Sequence, residues 1–345
     1  MLKVFIKLLP PHPYIPLLYP NLGKQERKSI LFLNNAFANL TDPLVQVVEH
    51  PRDADYFLLP HNYSGVRREK EYLDGFARLA RKHGKKTIII AHGDSSAPIP
   101  FPDAVVFRTS QYAYEERPNE ITMPAYAEDL LGDRAPTFRT VRPEPPAVGF
   151  CGWTEYKNFK NRAGTLARNA WVTARSTLTR RPETLAETKG ITLRRRALAA
   201  LERSGAVRPH VMRRGSYSGH ASTITLDPAR ARREYVDNML QSDFSLVVKG
   251  DGNYSYRFYE TLSLGRVPLF LNTACRLPIA DAIDYGAFVV FAELAQIDRL
   301  AEIAAERYRR FTPEEFLHMQ RRAREVFEKY LRVDSFFRYA VGHLL

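Results

Sequence analysis

The segment from Ser242 to Gly265 contains the residue types and spacing that point most directly to chemistry. Its pattern predicts a buried strand at 244–248, a glycine-rich turn, and a helix at 255–264 that Gly265 closes. Ligands of open α/β sheets bind at the carboxyl ends of strands, and the free amides of a helix N-terminus attract phosphate. The sequence therefore predicts a phosphate-binding turn between this strand and this helix.

The turn contains a cation, two glycines and a candidate helix cap. Lys249 directly follows the predicted strand. Gly250 and Gly252 allow the backbone to approach a ligand closely, and Ser255 is placed to cap the helix. Glycine-rich turns occur in many proteins, so the charged residues that follow are more informative.

Arg257 and Glu260 are the charged residues of this predicted helix. A cation in the first helical turn opposes the helix dipole, and a bound anion would remove that penalty. Because the two residues are three positions apart, their side chains lie on one helical face. Two interpretations stay open. One is a surface ion pair; in the other, Arg257 and Lys249 bind a diphosphate while Glu260 binds a pair of ribose hydroxyls.

Four further polar residues follow predicted strands, where side chains of an α/β protein face a ligand. His92 and Asp94 follow the strand at 87–91, His61 follows the preceding strand, and Glu155 follows a strand in the second half of the chain. Each is a candidate general base. A role in capping a loop is the alternative for each of them.

Asp53 and Asp55 form a D-x-D triplet with Ala54, a pattern that binds manganese in some enzymes. In such sites the carboxylates follow a strand, whereas these precede the predicted strand at 56–59. They would lie at the wrong end of the sheet for a ligand. We therefore expect a strand-entry turn and no metal site here.

Apolar, β-rich runs alternate with helical patterns over the whole length, which is typical of an α/β protein with parallel strands. Residues 136–146 contain four prolines and few core residues, so we expect a linker between two halves. The first half has predicted strands at 2–8, 56–59, 87–91 and 104–107 and helices at 29–40 and 67–83. The second half has predicted strands at 147–151, 244–248, 267–271 and 288–291 and helices at 162–177, 229–241, 255–264, 292–310 and 313–331. Thr312 is placed to cap the last helix, with Pro313 at its first position.

Length and composition exclude several classes of protein. A chain of 345 residues with 45% hydrophobic and 26% charged residues suggests two globular domains. Two cysteines are too few for a disulfide framework or a four-ligand cysteine zinc site, which fits a reducing, cytoplasmic setting. The first ten residues predict a strand and no targeting segment, and no stretch has the length and apolar content of a membrane span.

Positive charge is concentrated between Lys157 and Arg233, a segment that we expect to be mostly helical. It holds 18 basic and 4 acidic residues in a chain of net charge +13. A nucleotide diphosphate, an acidic polymer, anionic lipid headgroups or nucleic acid would each be a complementary partner. Nucleic acid is the weaker option because the segment lacks zinc-finger spacing, an RNP motif and a heptad-linked basic region. An arginine-rich, solvated helical face is the alternative to all of these.

Several motifs occur in a fixed order along the chain. Asp-Ala-Asp-Tyr-Phe-Leu-Leu-Pro at 53–60 comes first, followed by Phe-Cys-Gly-Trp at 150–153 with Arg162 downstream. Ser-Asp-Phe-Ser-Leu-Val-Val-Lys-Gly at 242–250 and Ser-Tyr-Arg-Phe-Tyr-Glu-Thr-Leu-Ser-Leu-Gly-Arg-Val-Pro-Leu-Phe-Leu at 255–271 are the longest. Together they resemble the exostosin-like glycosyltransferases of family 47, and we expect a bacterial member.

This resemblance implies an α/β fold of the GT-B type, in which two Rossmann-like domains face a cleft and C-terminal helices follow. It implies an acceptor domain at 1–140, a nucleotide-sugar-binding domain at 141–311, and a helical segment at 312–345 that packs across both. The implied reaction is inverting and independent of metal. It moves a sugar from a nucleotide-sugar, with UDP-sugar first among the candidates, to an oligosaccharide, polysaccharide or glycolipid acceptor.

The resemblance also assigns residues to the donor site. Arg162, Lys249 and Arg257 would hold the departing nucleotide diphosphate, and Glu260 falls on the glutamate of the family. Lys249 stands where many members have proline or arginine, and the basic segment departs from the eukaryotic members, so their acceptors do not transfer to this chain. The remaining donor-site residues by this resemblance are Gly250, Gly252, Ser255 and Tyr256.

The catalytic base is left open among Asp94, His92 and His61. We expect no required cofactor, no nucleic-acid partner, and a cytoplasmic location with peripheral contact to an anionic membrane surface. The alternative function is a non-catalytic basic module that binds an acidic polymer or nucleic acid through residues 157–233.

Overall fold

A computed structural model describes residues 1–26, 29–101, 103–132 and 134–343. In this part of the chain, two parallel sheets form the frame of the molecule. The first contains β1 (Leu2–Phe5), β2 (Val45–Val48), β3 (Tyr56–Leu58), β4 (Thr87–Ala91), β5 (Ala104–Arg108) and β6 (Glu120–Thr122). The second contains β7 (Ala147–Trp153), β8 (Arg208–Arg214), β9 (Phe244–Val247), β10 (Val267–Asn272) and β11 (Val290–Glu293).

Helices alternate with the strands and flank the sheets. They are α1 (Tyr19–Leu22), α2 (Tyr63–Val66), α3 (Lys70–Lys82), α4 (Phe159–Thr179), α5 (Gly190–Arg203), α6 (Pro228–Leu240), α7 (Tyr256–Ser263), α8 (Leu300–Arg310), α9 (Pro313–Val326) and α10 (Val333–His343). Short 3-10 helices lie at Pro16–Leu18, Leu33–Phe37, Pro51–Asp53, Ala113–Glu115, Pro182–Glu187, Tyr285–Ala287 and Leu294–Arg299, with a π-helical turn at Phe327–Leu331.

The first sheet has the strand order β2-β1-β3-β4-β5-β6, and every neighbouring pair is parallel. Successive side chains of a strand point to opposite faces. Ile88 and Ile90 of β4 therefore join one buried cluster, while Ile89 joins another with Leu73 and Phe76 of α3. Both faces of the sheet are covered, as in a Rossmann-like unit.

The second sheet has the strand order β11-β10-β9-β7-β8, again with parallel neighbours. All four residues of β9 are buried, because the strand lies inside the sheet between β10 and β7. The order of the strands along the chain reverses between β7 and β9. Such a reversal leaves a crevice outside the carboxyl ends of the two strands.

The two sheets with their flanking helices confirm the predicted α/β, GT-B-like fold of two units. The last helices contact both units. Phe316 of α9 and Phe327 pack in the core of the second sheet, whereas Phe336 and Phe337 of α10 pack in the core of the first. The domain boundaries at residues 140 and 311 stay predictions.

Loops at the carboxyl ends of the two sheets are bonded to each other. The amide of Asn253 donates to Ser110 Oγ at 2.9 Å, and the Asn253 side chain donates to the carbonyl of Gln111 at 3.0 Å. Next to this contact, Tyr112 and Cys275 form an antiparallel bridge. These contacts join the two units at one border of the cleft between them.

The prediction of a helix at 29–40 is wrong, because in this segment only Leu33–Phe37 is helical, as a short 3-10 helix. Phe32 has a φ of 62°, a left-handed conformation that interrupts a regular helix. Just before it, Ile30 forms an antiparallel bridge with His220 of the second unit. Backbone bonding to a distant segment thus replaces the local helical pattern.

The basic segment, residues 157–233, is less helical than predicted, because β8 lies within it. This strand is at the edge of the second sheet, where it pairs only with β7. An edge strand can expose many of its side chains, as Arg208 and Arg213 do here. The polar composition that results does not resemble that of a buried strand.

Two local predictions are confirmed by hydrogen bonds. Thr312 Oγ1 accepts from the amide of Glu315 at 3.1 Å, and the Glu315 carboxylate accepts from the amide of Thr312 at 2.8 Å, which is a capping box. The D-x-D triplet is a strand-entry turn. Asp53 ends the 3-10 helix before β3, and Asp55 accepts from the amide of Lys3 in β1 at 2.8 Å.

Helix α5 packs closely on the loop after β9 at its first residue, Gly190. A substitution of this glycine tests the packing. A Cβ at Gly190 would lie 2.2 Å from the carbonyl oxygen of Gly250 and 2.4 Å from that of Lys249. We expect Gly190→Ala to lower the free energy of unfolding by about 1–3 kcal/mol, because backbone must move to admit the methyl group. Denaturant-induced unfolding followed by circular dichroism measures this.

Gly164→Ala in α4 is the matched control. A Cβ there has no atom within 4 Å, so the substitution should stabilise the helix by up to about 1 kcal/mol. Equal effects of the two substitutions would contradict the close packing of α5.

Candidate functional site

Three basic residues lie at the crevice between β7 and β9, and the guanidinium groups of two of them, Arg257 and Arg194, are neighbours. Arg257 comes from the first turn of α7, Arg194 from α5, and Lys249 from the loop that follows β9. This crevice is where open α/β sheets bind ligands. The site is therefore built on the ends of two neighbouring buried strands.

The guanidinium of Arg257 is buried among neutral groups. The residue is 8% exposed, and its Nη2 donates to the carbonyl of Cys151 at the end of β7. Its Cζ lies 4.6 Å from the ring centres of both Phe150 and Tyr235. Nη1 is buried without a hydrogen-bond partner. No ion pair between Arg257 and Glu260 forms in the described part of the chain, so the surface-pair interpretation is wrong.

Arg194 is a member of this cluster that the sequence analysis missed. Its guanidinium donates to the carbonyls of Trp153, at 3.3 Å, and Lys249, at 3.1 Å. Burial, together with the neighbouring charge of Arg257, lowers the pKa of Arg194 to about 10. Two guanidinium groups are therefore held close enough to repel each other.

Lys249 is the third cation, and only 3% of the residue is exposed. Its ammonium group donates to the hydroxyl of Tyr112, a residue of the first unit, at 3.0 Å. Burial lowers the pKa of Lys249 from its usual 10.5 to about 8. Among the residues that the structure describes, none of these three cations has a carboxylate partner within ion-pair distance.

Glu260 is held by two residues of α6. Its carboxylate accepts from Arg232 at 3.1 Å and from the hydroxyl of Tyr235 at 2.5 Å. Arg232 also pairs with Glu128, which follows the first sheet. Burial raises the pKa of Tyr235, whose ring contacts Arg257, so this hydroxyl stays a donor. The carboxylate and the guanidinium of α7 are thus separated by a tyrosine ring.

The glycine turn has a structural function at the cleft. A Cβ on Gly252 would lie 2.7 Å from the Cα of Asp94, so this glycine allows the two units to approach. The amide of Gly250 donates to the carbonyl of Tyr254 at 3.1 Å and closes the turn. Ser255 precedes α7, but its side chain makes no capping hydrogen bond, and the predicted cap is wrong.

Tyr256 and His92 lie in a group of rings where the units meet. The hydroxyl of Tyr256 is 3.4 Å from His92 Nε2. The His92 ring stacks on Tyr126 at 4.1 Å, and its Nε2 accepts from the amide of that residue at 3.3 Å. The ring position of His92 is therefore set by neighbouring groups.

Asp94 is exposed and lines a cavity of about 330 Å³ in the cleft. Tyr254 is hydrogen-bonded to Asp94, and its pKa is raised by burial and by this neighbouring carboxylate. Side chains from both units line the cavity; besides Asp94 they include Tyr112, Arg117, Arg168, Glu187 and Asp251. Of the predicted bases, Asp94 is the one that borders this cavity.

His61 cannot act as a base from its observed position. Its Nε2 accepts from the amide of Leu9 at 2.9 Å, and its Nδ1 lies 3.0 Å from the carbonyl of Pro13. Both ring nitrogens therefore hold the loop after β1, and burial lowers the pKa of His61. The capping alternative is correct for this residue.

Two further candidates lie outside the cluster. Arg162 is exposed on α4 and is not among the residues that line the cavity. Arg168, further along the same helix, reaches the cavity instead. Glu155 is exposed and is not among the residues that line the cavity.

Many cations of the basic segment are bonded within the fold. Nine of them form ion pairs in the described structure: Arg175, Arg181, Lys189, Arg196, Arg203, Arg213, Arg214, Arg230 and Arg232. The high charge of this segment is thus partly structural.

The described residues contain no cluster of three or more His, Cys, Asp or Glu side chains that would hold a metal ion. None of the helices in this part of the chain has the length and apolar content needed to cross a bilayer.

Two Rossmann-like sheets that face a cleft define a GT-B-like protein. Comparison with known proteins agrees with this class. Residues 166–306 match the exostosin GT47 domain. This range includes Arg194, Lys249, Arg257 and Glu260.

A segment of 102 residues is 34% identical to the Exostosin-1 homolog of Caenorhabditis elegans. The aligned segment is 29% of this chain and 25% of that relative, so the chain matches about a quarter of the relative's length. By these comparisons, residues 166–306 are similar to the exostosin domain of glycosyltransferase family 47.

Proposed function

We propose that the protein is an inverting glycosyltransferase that moves a sugar from a nucleotide-sugar, foremost a UDP-sugar, to a glycan or glycolipid acceptor. The proposed setting is the cytoplasmic side of cell-surface polysaccharide synthesis. One observation carries the proposal: Arg257, Arg194 and Lys249 are gathered at the reversal point of the second sheet with only neutral partners.

Such a cluster is unfavourable without an anion. Buried charges cost free energy unless they are paired, and neighbouring guanidinium groups repel each other. A diphosphate supplies several acceptor oxygens and negative charges, and guanidinium groups bind it with directed hydrogen bonds. Nη1 of Arg257, which has no partner, is available for such a bond.

Glu260 completes the donor site. A carboxylate has about four lone-pair directions, and Arg232 and Tyr235 use two of them. The remaining ones can accept from the two hydroxyls of a ribose, as the sequence predicted. Because both protein partners hold the carboxylate, its orientation is set before the nucleotide binds.

Asp94 is the proposed general base. It lies in the cleft with its carboxylate next to Tyr254, at the edge of the cavity that borders Lys249 through Tyr112. In the reaction, Asp94 removes the proton of an acceptor hydroxyl as the hydroxyl oxygen bonds to the anomeric carbon. The bond from that carbon to the diphosphate breaks, and the three cations stabilise the charge on the leaving group. These cations take the part that a metal ion has in other transferases, so we propose that none is required.

Nucleotide binding is the first test. A panel of UDP-, GDP-, CMP- and ADP-sugars should include one that raises the stability of the protein in thermal unfolding, by about 2.7 kcal/mol at a hundredfold excess over its Kd. EDTA should leave the stabilisation unchanged, and Arg257→Gln should abolish it.

Arg196→Gln is the matched control for this test. Arg196 is on α5 near Arg194 but pairs with Asp298 at the surface, so the nucleotide effect should persist. No stabilisation by any nucleotide at millimolar concentration would contradict the proposal. Binding of acidic polymers that survives Arg257→Gln and collapses with salt would favour the basic-module alternative.

The low pKa of Lys249 predicts a pH dependence of nucleotide affinity. Raising the pH through about 8 removes the proton of Lys249, so the affinity for the nucleoside diphosphate should fall by about tenfold at pH 9. Calorimetric titration between pH 7 and 9.5 measures this. Lys249→Arg should bind with no step near pH 8, and a step that persists in this variant would assign the titration to another group.

The general base is tested by Asp94→Asn. This substitution should lower kcat/KM by about 10²- to 10⁴-fold while the donor affinity stays the same. The assay follows release of nucleoside diphosphate from the donor that the panel identifies, with water as the acceptor. Glu155→Gln should retain full activity. A large loss in His92→Gln with normal activity in Asp94→Asn would move the role to the histidine.

A further inference from the structure

The outer face of α4 exposes large apolar side chains. In the described part of the chain, nine large hydrophobic residues are exposed, and four of them are on this helix. They are Phe159 (81% exposed), Leu166 (51%), Trp171 (54%) and Leu178 (84%). Scattered exposed apolar residues are ordinary, but four on one helix are a patch.

These four side chains share one side of the helix. At about 100° per residue, they fall within an arc of about 140°. The exposed alanines at 163, 167 and 174 lie in the same arc. The buried residues Thr165, Val172 and Ser176 point the opposite way, where α4 contacts the 3-10 helix at Pro182–Glu187. The fold thus covers the polar side of α4 and leaves its apolar side in solvent.

Unpaired cations surround this apolar face. Helix α4 contains no acidic residue. On the helix and directly beside it, five exposed basic residues have no carboxylate partner among the residues that the structure describes. They are Lys157, Lys160, Arg162, Arg168 and Arg180. Arg162 and Arg168 lie just outside the two edges of the apolar arc, which is therefore flanked by positive charge on both sides, and Lys160 lies within the arc in the first turn of the helix.

We propose that α4 is a membrane-docking helix, which lies in the interface of a bilayer containing anionic lipid with Phe159, Leu166, Trp171 and Leu178 among the acyl chains. Helices that bind this interface combine an apolar face rich in Trp, Phe and Leu with Lys and Arg at its borders. Each lysine and arginine near the headgroups adds electrostatic attraction to anionic lipid. The long basic side chains can reach the headgroups while the helix is immersed.

A second copy of the chain is a poorer occupant of this face. Two copies that meet through α4 would bring two sets of unpaired cations together, with no acidic residue on either helix to compensate. An anionic bilayer satisfies the apolar face and the charge at once.

Docking through α4 would bring the bilayer close to the cleft. Arg168 and Arg175, on the edge of α4, line the cleft cavity. If the proposed function is correct, this placement suits an acceptor that is anchored in lipid. Membrane binding itself does not depend on that function.

Trp171 is a natural probe of the docking. The chain has two tryptophans, so Trp153→Phe leaves Trp171 as the single emitter. Vesicles of phosphatidylglycerol and phosphatidylcholine should shift its emission to the blue, and lipids brominated on the acyl chain should quench it. Pure phosphatidylcholine vesicles should give little change, and the vesicles with anionic lipid should sediment the protein.

Variants separate docking from a general effect of charge. Leu166→Glu with Leu178→Glu should weaken vesicle binding by at least about tenfold, because two apolar side chains no longer enter the bilayer. Val141→Glu is the matched control, since Val141 is 76% exposed but lies outside α4, and this variant should bind as the parent does. Circular dichroism checks that each variant is folded.

Several outcomes would overturn the proposal. They are an unchanged emission with no sedimentation, equal binding by the Leu166→Glu, Leu178→Glu variant, or a concentration-dependent dimer that this variant loses. The nucleotide panel is measured without vesicles, so failure of the proposed enzyme function and failure of membrane docking are observed separately.

Discussion

Electrostatic repulsion between the guanidinium groups of Arg257 and Arg194 is the constraint on which the site depends. The carbonyls of Cys151 and Trp153 in β7, and that of Lys249 just after β9, hold these two groups by hydrogen bonds. These bonds position the charges without neutralising them. Charged donors that are already held in place would favour binding of an anion, because they do not have to reorganise when the ligand arrives.

Uncharged contacts help to fix the two units across the cleft. Asn253 binds the loop after β5, and Gly252 is small enough to lie against Asp94. The same loop between β9 and α7 therefore contributes a cation to one side of the site and anchors the opposite side. A displacement of this loop would alter the position of Lys249 and the position of Asp94 together.

Sequence patterns predicted the elements that leave a local signal. The capping box at Thr312 depends on residues close in the chain, and β4 is a continuous apolar run although it pairs with β3 and β5; both were predicted correctly. Two features without such a signal were missed. The segment around Phe32 bonds to the second unit, and Arg194 lies in an Arg-Arg-Arg run that looks like a solvated helix face. Its position one turn after Gly190, which packs on the loop after β9, was the signal available for Arg194.

The packing of α10 has a consequence for how this chain is made. Val333, Phe336 and Phe337 fill the core of the first sheet, although the whole second sheet lies between them and that sheet in sequence. During synthesis, the first sheet emerges from the ribosome with part of its core absent. Its apolar surface stays uncovered until the second unit and α10 have been translated. The first unit therefore cannot complete its core before the second unit has been synthesised.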